Sequence, residues 1–369
     1  MTSRPKMLVN LQALRFLAAL PVLAYHIAPH IWASGIPRGG WLHYNHLAGF
    51  GGVDIFFVIS GFIMWHTTRD DRGLAAAWRF LRKRAARLYS GYWPFLLLSA
   101  LLWYRYHPDL IPIKNWPLST TLIPNPTGTT VQLDPGQLAL PVSWTLVYEV
   151  YFYIGFAALV AFRRHTRVST VLAILGVVVL AGIYAVYSGV FMPGRLLDSS
   201  LAFTLYLSPF CVEFLLGCLL GEWYRRRAIR WPLAWLAFGL AMAVLIGWVN
   251  ARWFAGNLLL GYYIPQRVLL FSAAACGFVL WAVGLDQRGK AFLPRASLIL
   301  GGSSYALYLS HTLWLQWFFD IGGRDWLARN GLTVPGYWLA ALAMIIMAAA
   351  FYQFAERPLH RGFRRVLRA

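Results

Sequence analysis

Apolar windows of about 20 residues, each long enough to cross the hydrocarbon core of a bilayer, recur from one end of this chain to the other. They fall near 8–28, 47–67, 88–106, 143–162, 169–190, 204–223, 231–250, 265–285, 298–319 and 336–356. Lipid offers the backbone no hydrogen-bond partners, so only helices and closed barrels span it. The windows are about twice as long as a tilted transmembrane strand needs. The chain is therefore expected to be all-α, a polytopic membrane helix bundle of about ten transmembrane helices. Charged residues make up only 12% of the 369 positions, against about 25% in soluble domains.

The net charge of +20 would suit a nucleic-acid partner if the basic residues formed one patch. They lie instead in short segments between the apolar windows. With the N-terminus placed in the cytoplasm, the inner segments hold 24 of the 33 Lys and Arg residues, the outer ones hold eight, and Arg15 falls inside a span. The positive-inside rule asks for that asymmetry. It puts both termini in the cytoplasm and explains the charge with no nucleic acid. A multi-pass protein of a bacterial cytoplasmic membrane is expected, with the lipid bilayer as its first partner.

Residues 1–369 read as one integral membrane domain with a short basic tail, 357–369. The first window has no small-residue cleavage signature and carries Arg15, so it reads as a retained helix and not as a signal peptide. The longest outer loop, about 107–142, is rich in Pro, Thr and Asn. It reads equally as an ordered lid on the outer side and as a linker. Cys211, Cys218 and Cys276 lie inside apolar windows and read as small apolar residues, with neither a disulfide nor a metal set expected. No internal repeat is visible, which weighs against transporter folds built from repeated halves.

A charged side chain within a span normally faces the bundle interior or a water-filled cavity. Arg15 and His26 are eleven residues apart in the first window, close to three full turns, so they share one helix face about 16 Å apart. The second window enters from outside with Asp54 in its first turn, in "GGVDIFFVISGF". The fourth, "SWTLVYEVYFY", carries Glu149 about two turns down. His26, Asp54 and Glu149 are thus expected at comparable depth. A carboxylate beside a histidine orients the ring and stabilises its cation, which suits a general base. In "RFLRKRAARLYSGYW", Arg84 and Arg87 lie one turn apart and read as topology-setting charge or as a phosphate site for forked guanidiniums. "SSYALYLSH" adds Ser304, Tyr305, Tyr308 and His311, and "FAERP" adds Glu356.

Taken together and in this order, these stretches resemble the membrane acyltransferase-3 family over about residues 8–358. The resemblance implies an acyl-CoA-dependent O-acyltransferase that moves an acyl group, commonly acetyl, to a hydroxyl. The implied acceptor is a carbohydrate, a lipid-linked sugar or a small glycosylated metabolite, with no metal. It implies His26 as the catalytic histidine, Arg15, Arg84 and Arg87 as essential basic residues, and Glu149 as the acid of the fourth-helix motif. Asp54 and Ser143 match polar motif positions, and Tyr305 and His311 are expected in the donor-binding set. Ser90 stands where the family often has Pro after "RLY". The chain ends at Ala369, so no fused extracytoplasmic domain is expected.

The resemblance and the charges together suggest acyl-CoA entering from the cytoplasm, with Arg15 along the path of its pantetheine arm. Direct transfer with His26 as general base is the favoured mechanism, and a relay through an acyl-histidine remains open as its rival. So does a glycolipid transporter or flippase whose buried ionisable residues form a proton or substrate path. Thioester turnover that disappears in His26→Ala separates the enzyme from the transporter.

Overall fold

A computed structural model describes residues 8–68, 70–124, 137–162, 173–181, 205–206, 208, 210–254, 265–293 and 296–368. The described residues are helical with no strand. Six segments among them are long and apolar enough to cross a membrane: Val9–Ala33, Gly40–Thr67, Pro141–Phe162, Pro232–Trp253, Val268–Gln287 and Thr333–Val366. Leu97, Leu101, Val244, Leu339 and Ile346 point outward and are more than half exposed, which suits a surface solvated by lipid. Most of the expected window at 169–190 lies outside the described residues.

Five helices build the interior. They are α1 (Val9–Ala33), α3 (Gly52–Thr67), α4 (Gly73–Tyr106), α6 (Trp144–Phe162) and α10 (Ala296–Asp320). The short α2 (Gly40–Ala48) and α5 (Trp116–Thr121) precede α3 and α6. Around them lie α7 (Phe210–Arg226), α8 (Pro232–Trp253), α9 (Pro265–Gln287), α11 (Gly323–Arg329), α12 (Thr333–Phe351) and α13 (Arg357–Val366). A π-helical turn, Tyr352–Glu356, joins the last two.

Small residues let the helices touch backbone to backbone, the usual device where lipid removes the hydrophobic drive. A Cβ on Gly61 would lie 1.9 Å from the Phe214 carbonyl oxygen, which locks α3 onto α7. One on Gly301 would lie 2.4 Å from the Gln12 oxygen, which locks α10 onto α1. Asp286 of α9 caps the N-terminus of α1, accepting from the Asn10 backbone N–H at 3.0 Å and from Asn10 Nδ2 at 2.9 Å.

Contacts along the helices set their directions. Gln12 meets Gly301 and His26 meets His311, so α1 and α10 are parallel. Gly91 faces Tyr305 and His107 meets Asp320, so α4 runs with them. Val53 and Trp144, near the starts of α3 and α6, lie with His26, while Ile63 and Tyr153, farther along, lie with Arg15, so α3 and α6 run the other way. The N-terminal halves of α1, α4 and α10 therefore converge at one end of the bundle and their C-terminal halves at the other.

α4 differs from expectation. It is one helix of 34 residues, about 51 Å long, so the basic stretch 79–87 continues the span and is not a loop. Ser90, in the place of the family's Pro, sits within this unbroken helix and is fully buried.

Candidate active site

Two chambers lie end to end along the bundle and share Val53 and Tyr308 in their walls. The Tyr308 hydroxyl is held by Thr145 Oγ1 at 3.0 Å and by the Val142 carbonyl at 3.2 Å, so the partition is pinned to the start of α6.

The smaller chamber, about 120 Å³, is lined by Arg15, Ser60, Arg84, Arg87, Glu149, Tyr153 and Tyr305. Arg87 pairs with Glu356 and lies over the Tyr305 ring, 5.2 Å from its centroid. Glu356 is 1% exposed; the π-helical turn at Tyr352–Glu356 leads into it, a device frequent at functional sites. Arg84 donates to Thr67 Oγ1 at 3.3 Å and lies over the rings of Phe80 and Tyr153. Arg15 approaches Gln12 Oε1 at 3.5 Å. Glu149 Oε1 accepts from Tyr153 Oη at 2.5 Å and from Ser60 Oγ at 3.4 Å. Three guanidiniums beside two carboxylates leave a net positive chamber that can hold an anion.

The larger chamber, about 480 Å³, is lined by His26, His30, His107, Gln316 and Asp320 with the rings of Tyr25, Trp103 and Trp144. His26 Nδ1 lies 2.9 Å from the Val22 carbonyl oxygen and 3.2 Å from His311 Nε2. His311 Nδ1 lies 3.2 Å from the Leu307 carbonyl oxygen. A carbonyl only accepts, so these partners assign the proton of each neutral ring to Nδ1. The one His26 Nδ1–H is then shared between the Val22 carbonyl and His311 Nε2, both accepting. The lone pair on His26 Nε2 is left without a partner among the described residues, which is the state a general base needs.

The structure redistributes the expected residues. Arg15, Arg84, Arg87, Glu149 and Tyr305 come together in one chamber. His26 lies in the other. Glu149 is not at the depth of His26: it follows Trp144 by five residues, about 7.5 Å, which carries it past Tyr308 to Arg15. Asp54 is fully buried in the first turn of α3 and lines neither chamber. His311, expected with the donor-binding residues, sits against His26 instead, with ring centroids 4.8 Å apart. Sequence reasoning did not single out His107, Gln316 or Asp320. Their signal was weak, since polar residues at the ends of apolar helices are ordinary.

The chain matches an acyltransferase domain over residues 8–353. It is 28% identical to the exopolysaccharide production protein ExoZ of Rhizobium meliloti, over 85% of this chain and 90% of that protein. It is 26% identical to the acyltransferase MdmB of Streptomyces mycarofaciens, over 95% and 89%. It is 23% identical to the O-acetyltransferase OatA of Staphylococcus aureus, over 98% of this chain and 58% of that protein. No solved structure matches it. The chain belongs to the acyltransferase-3 family.

Proposed function

We propose that this protein transfers an acyl group, acetyl by default, from acyl-CoA to a hydroxyl of a carbohydrate acceptor, with His26 as general base. The observation that carries the reading is the free Nε2 of His26 in a chamber whose far wall, Tyr308, is shared with a chamber of three arginines. The phosphates of CoA suit the arginines. Arg84 is the better placed to receive them, because Arg87 already spends its charge on Glu356. The pantetheine arm passes Arg15 and brings the thioester carbonyl to the Tyr308 partition.

His26 Nε2 takes the proton of the acceptor hydroxyl as its oxygen attacks the thioester carbon. The C–S bond breaks, and the leaving thiolate recovers that proton from His26. His311 is a positioning residue: by accepting from Nδ1–H it fixes the tautomer and offsets the charge of the imidazolium. The names of the OatA and ExoZ relatives support a hydroxyl acceptor on a polysaccharide. The distribution of basic residues supports a cytoplasmic opening for the arginine chamber and an extracytoplasmic one for the histidine chamber.

His26→Ala is expected to lower acetyl transfer by roughly 10²–10⁴-fold, the usual share of a positioned base, with acetyl-CoA affinity kept in isothermal titration. Wild-type turnover in that variant removes His26 from the chemistry.

A further inference from the structure

The acceptor chamber carries a polar track that the transfer step does not use. Tyr308, Thr312, Gln316 and Asp320 recur every fourth residue on α10 and all line this chamber, so they form one stripe leading away from the partition. At its far end Asp320 Oδ1 accepts from Gln316 Nε2 at 2.7 Å and meets His107 Nε2 at 3.0 Å. Two neighbours on one oxygen fix the carboxylate. The other oxygen, Oδ2, is buried and has no hydrogen-bond partner among the described residues, and the same holds for Thr312 Oγ1. The Asp320 side chain is 4% exposed. A buried carboxylate oxygen without a donor is costly, and an O–H group of a ligand would remove that cost.

We infer that Asp320, with His107 and Gln316, is a sugar subsite one unit away from the acylated ring, and that the acceptor is a neutral glycan of at least two sugars. This rests on the function proposed above. Three properties point to the ligand class. The fixed carboxylate calls for hydroxyl donors. The rings of Tyr25, Trp103 and Trp144 line the same chamber, each with one side taken by His46, Lys114 or Phe50, and aromatic lining suits the polarised C–H groups of a pyranose. Among the described residues no Lys or Arg lines the chamber, and Asp320 repels an anion, so a uronate or phosphorylated sugar fits poorly. Length sets the number of units. Asp320 follows His311 by nine residues, a rise of about 13.5 Å, which is farther than one pyranose ring reaches. A ring presenting its hydroxyl to His26 lies near Thr312, and its neighbour in the glycan meets Asp320.

The test uses the detergent-purified full chain, labelled acetyl-CoA, and neutral gluco- and galacto-oligosaccharides of one to four units. Wild type is expected to gain in kcat/KM from one unit to two. Asp320→Asn keeps the shape but turns the Oδ2 acceptor into a donor. It is expected to raise the acceptor KM for the longer glycans by about tenfold or more, with the KM for acetyl-CoA moving little. His107→Ala is expected to act in the same direction. Equal kcat/KM for one and two units in wild type overturns the subsite, as does a full length gain in Asp320→Asn. Wild type that hydrolyses acetyl-CoA but acetylates no member of the series overturns the neutral-glycan subsite and leaves the donor reading standing. Wild type that consumes no acetyl-CoA contradicts the reading on which the subsite rests.

Discussion

The arginine chamber sets three guanidiniums against Glu149 and Glu356. The histidine chamber, across Tyr308, has no Lys or Arg among the described residues that line it and orients its polar groups by neutral hydrogen bonds and one carboxylate. The first can hold a polyanion and the second would reject one. A single cavity with both properties would let the donor's phosphates compete with the acceptor for the base. On the proposed function, two chambers on one axis would place each substrate by charge, with their reactive ends meeting at the partition. His26 lines the second chamber and the three arginines the first, so the proposed base and the proposed phosphate-binding charge would be kept apart.

The contrast breaks most visibly if Arg87 is removed. Arg87→Ala leaves Glu356, 1% exposed, as an unpaired carboxylate; because the Arg87 side chain is 29% exposed, the cost is expected below the roughly 3–5 kcal/mol of a fully buried pair. Thermal unfolding in detergent should show a clear fall in Tm, and adding Glu356→Gln should restore most of it. An unchanged Tm with weak donor binding would make Arg87 a free phosphate ligand like Arg84. Arg84→Ala comes next. It should weaken acyl-CoA binding by about 1.5–3 kcal/mol, the scale of hydrogen bonds to charged groups, with Lys restoring only part because it lacks the fork. Isothermal titration at rising salt should show the wild-type affinity falling as well, while acceptor KM stays put. A shift in acceptor KM would mean that the chambers are not separate.

The smallest effect sharpens the other side. His311→Ala removes one neutral hydrogen bond from His26, worth about 1 kcal/mol. A several-fold drop in kcat is expected with both KM values held, and His311→Gln should recover part of it because its amide oxygen still accepts. An unaltered kcat in His311→Ala would assign the orientation of His26 to the Val22 carbonyl alone.

Much of the arginine chamber was legible in the sequence. Intramembrane charge is conspicuous, and helical spacing put Arg84 and Arg87 on one side of a helix. The spacing of Arg15 and His26 was also readable, but not that Tyr308, from a helix nearly 300 residues away, divides the face they share. Hydropathy windows start the third span only at residue 88, because they cannot follow a helix where its residues are basic; α4 begins at Gly73. Depth was the weakest inference. Counting from the start of an apolar window put Glu149 level with His26, whereas the 3₁₀ turn Pro141–Ser143 and the antiparallel course of α6 carry it down to Arg15. Gln316 and Asp320 are one turn apart on α10, but His107 joins them only through the parallel packing of α4 on α10, which local sequence does not encode.

Sidedness is the claim on which the two-chamber account stands, and oriented membranes test it directly. Labelled acetyl-CoA is supplied to inverted vesicles, whose cytoplasmic face is outward, and to right-side-out vesicles, each carrying the wild-type chain and endogenous glycans. The account predicts donor consumption by the inverted vesicles alone, with labelled ester inside the lumen and resistant to an added esterase until detergent opens the vesicle. Consumption by sealed right-side-out vesicles, or label on the same face as the donor, would contradict it.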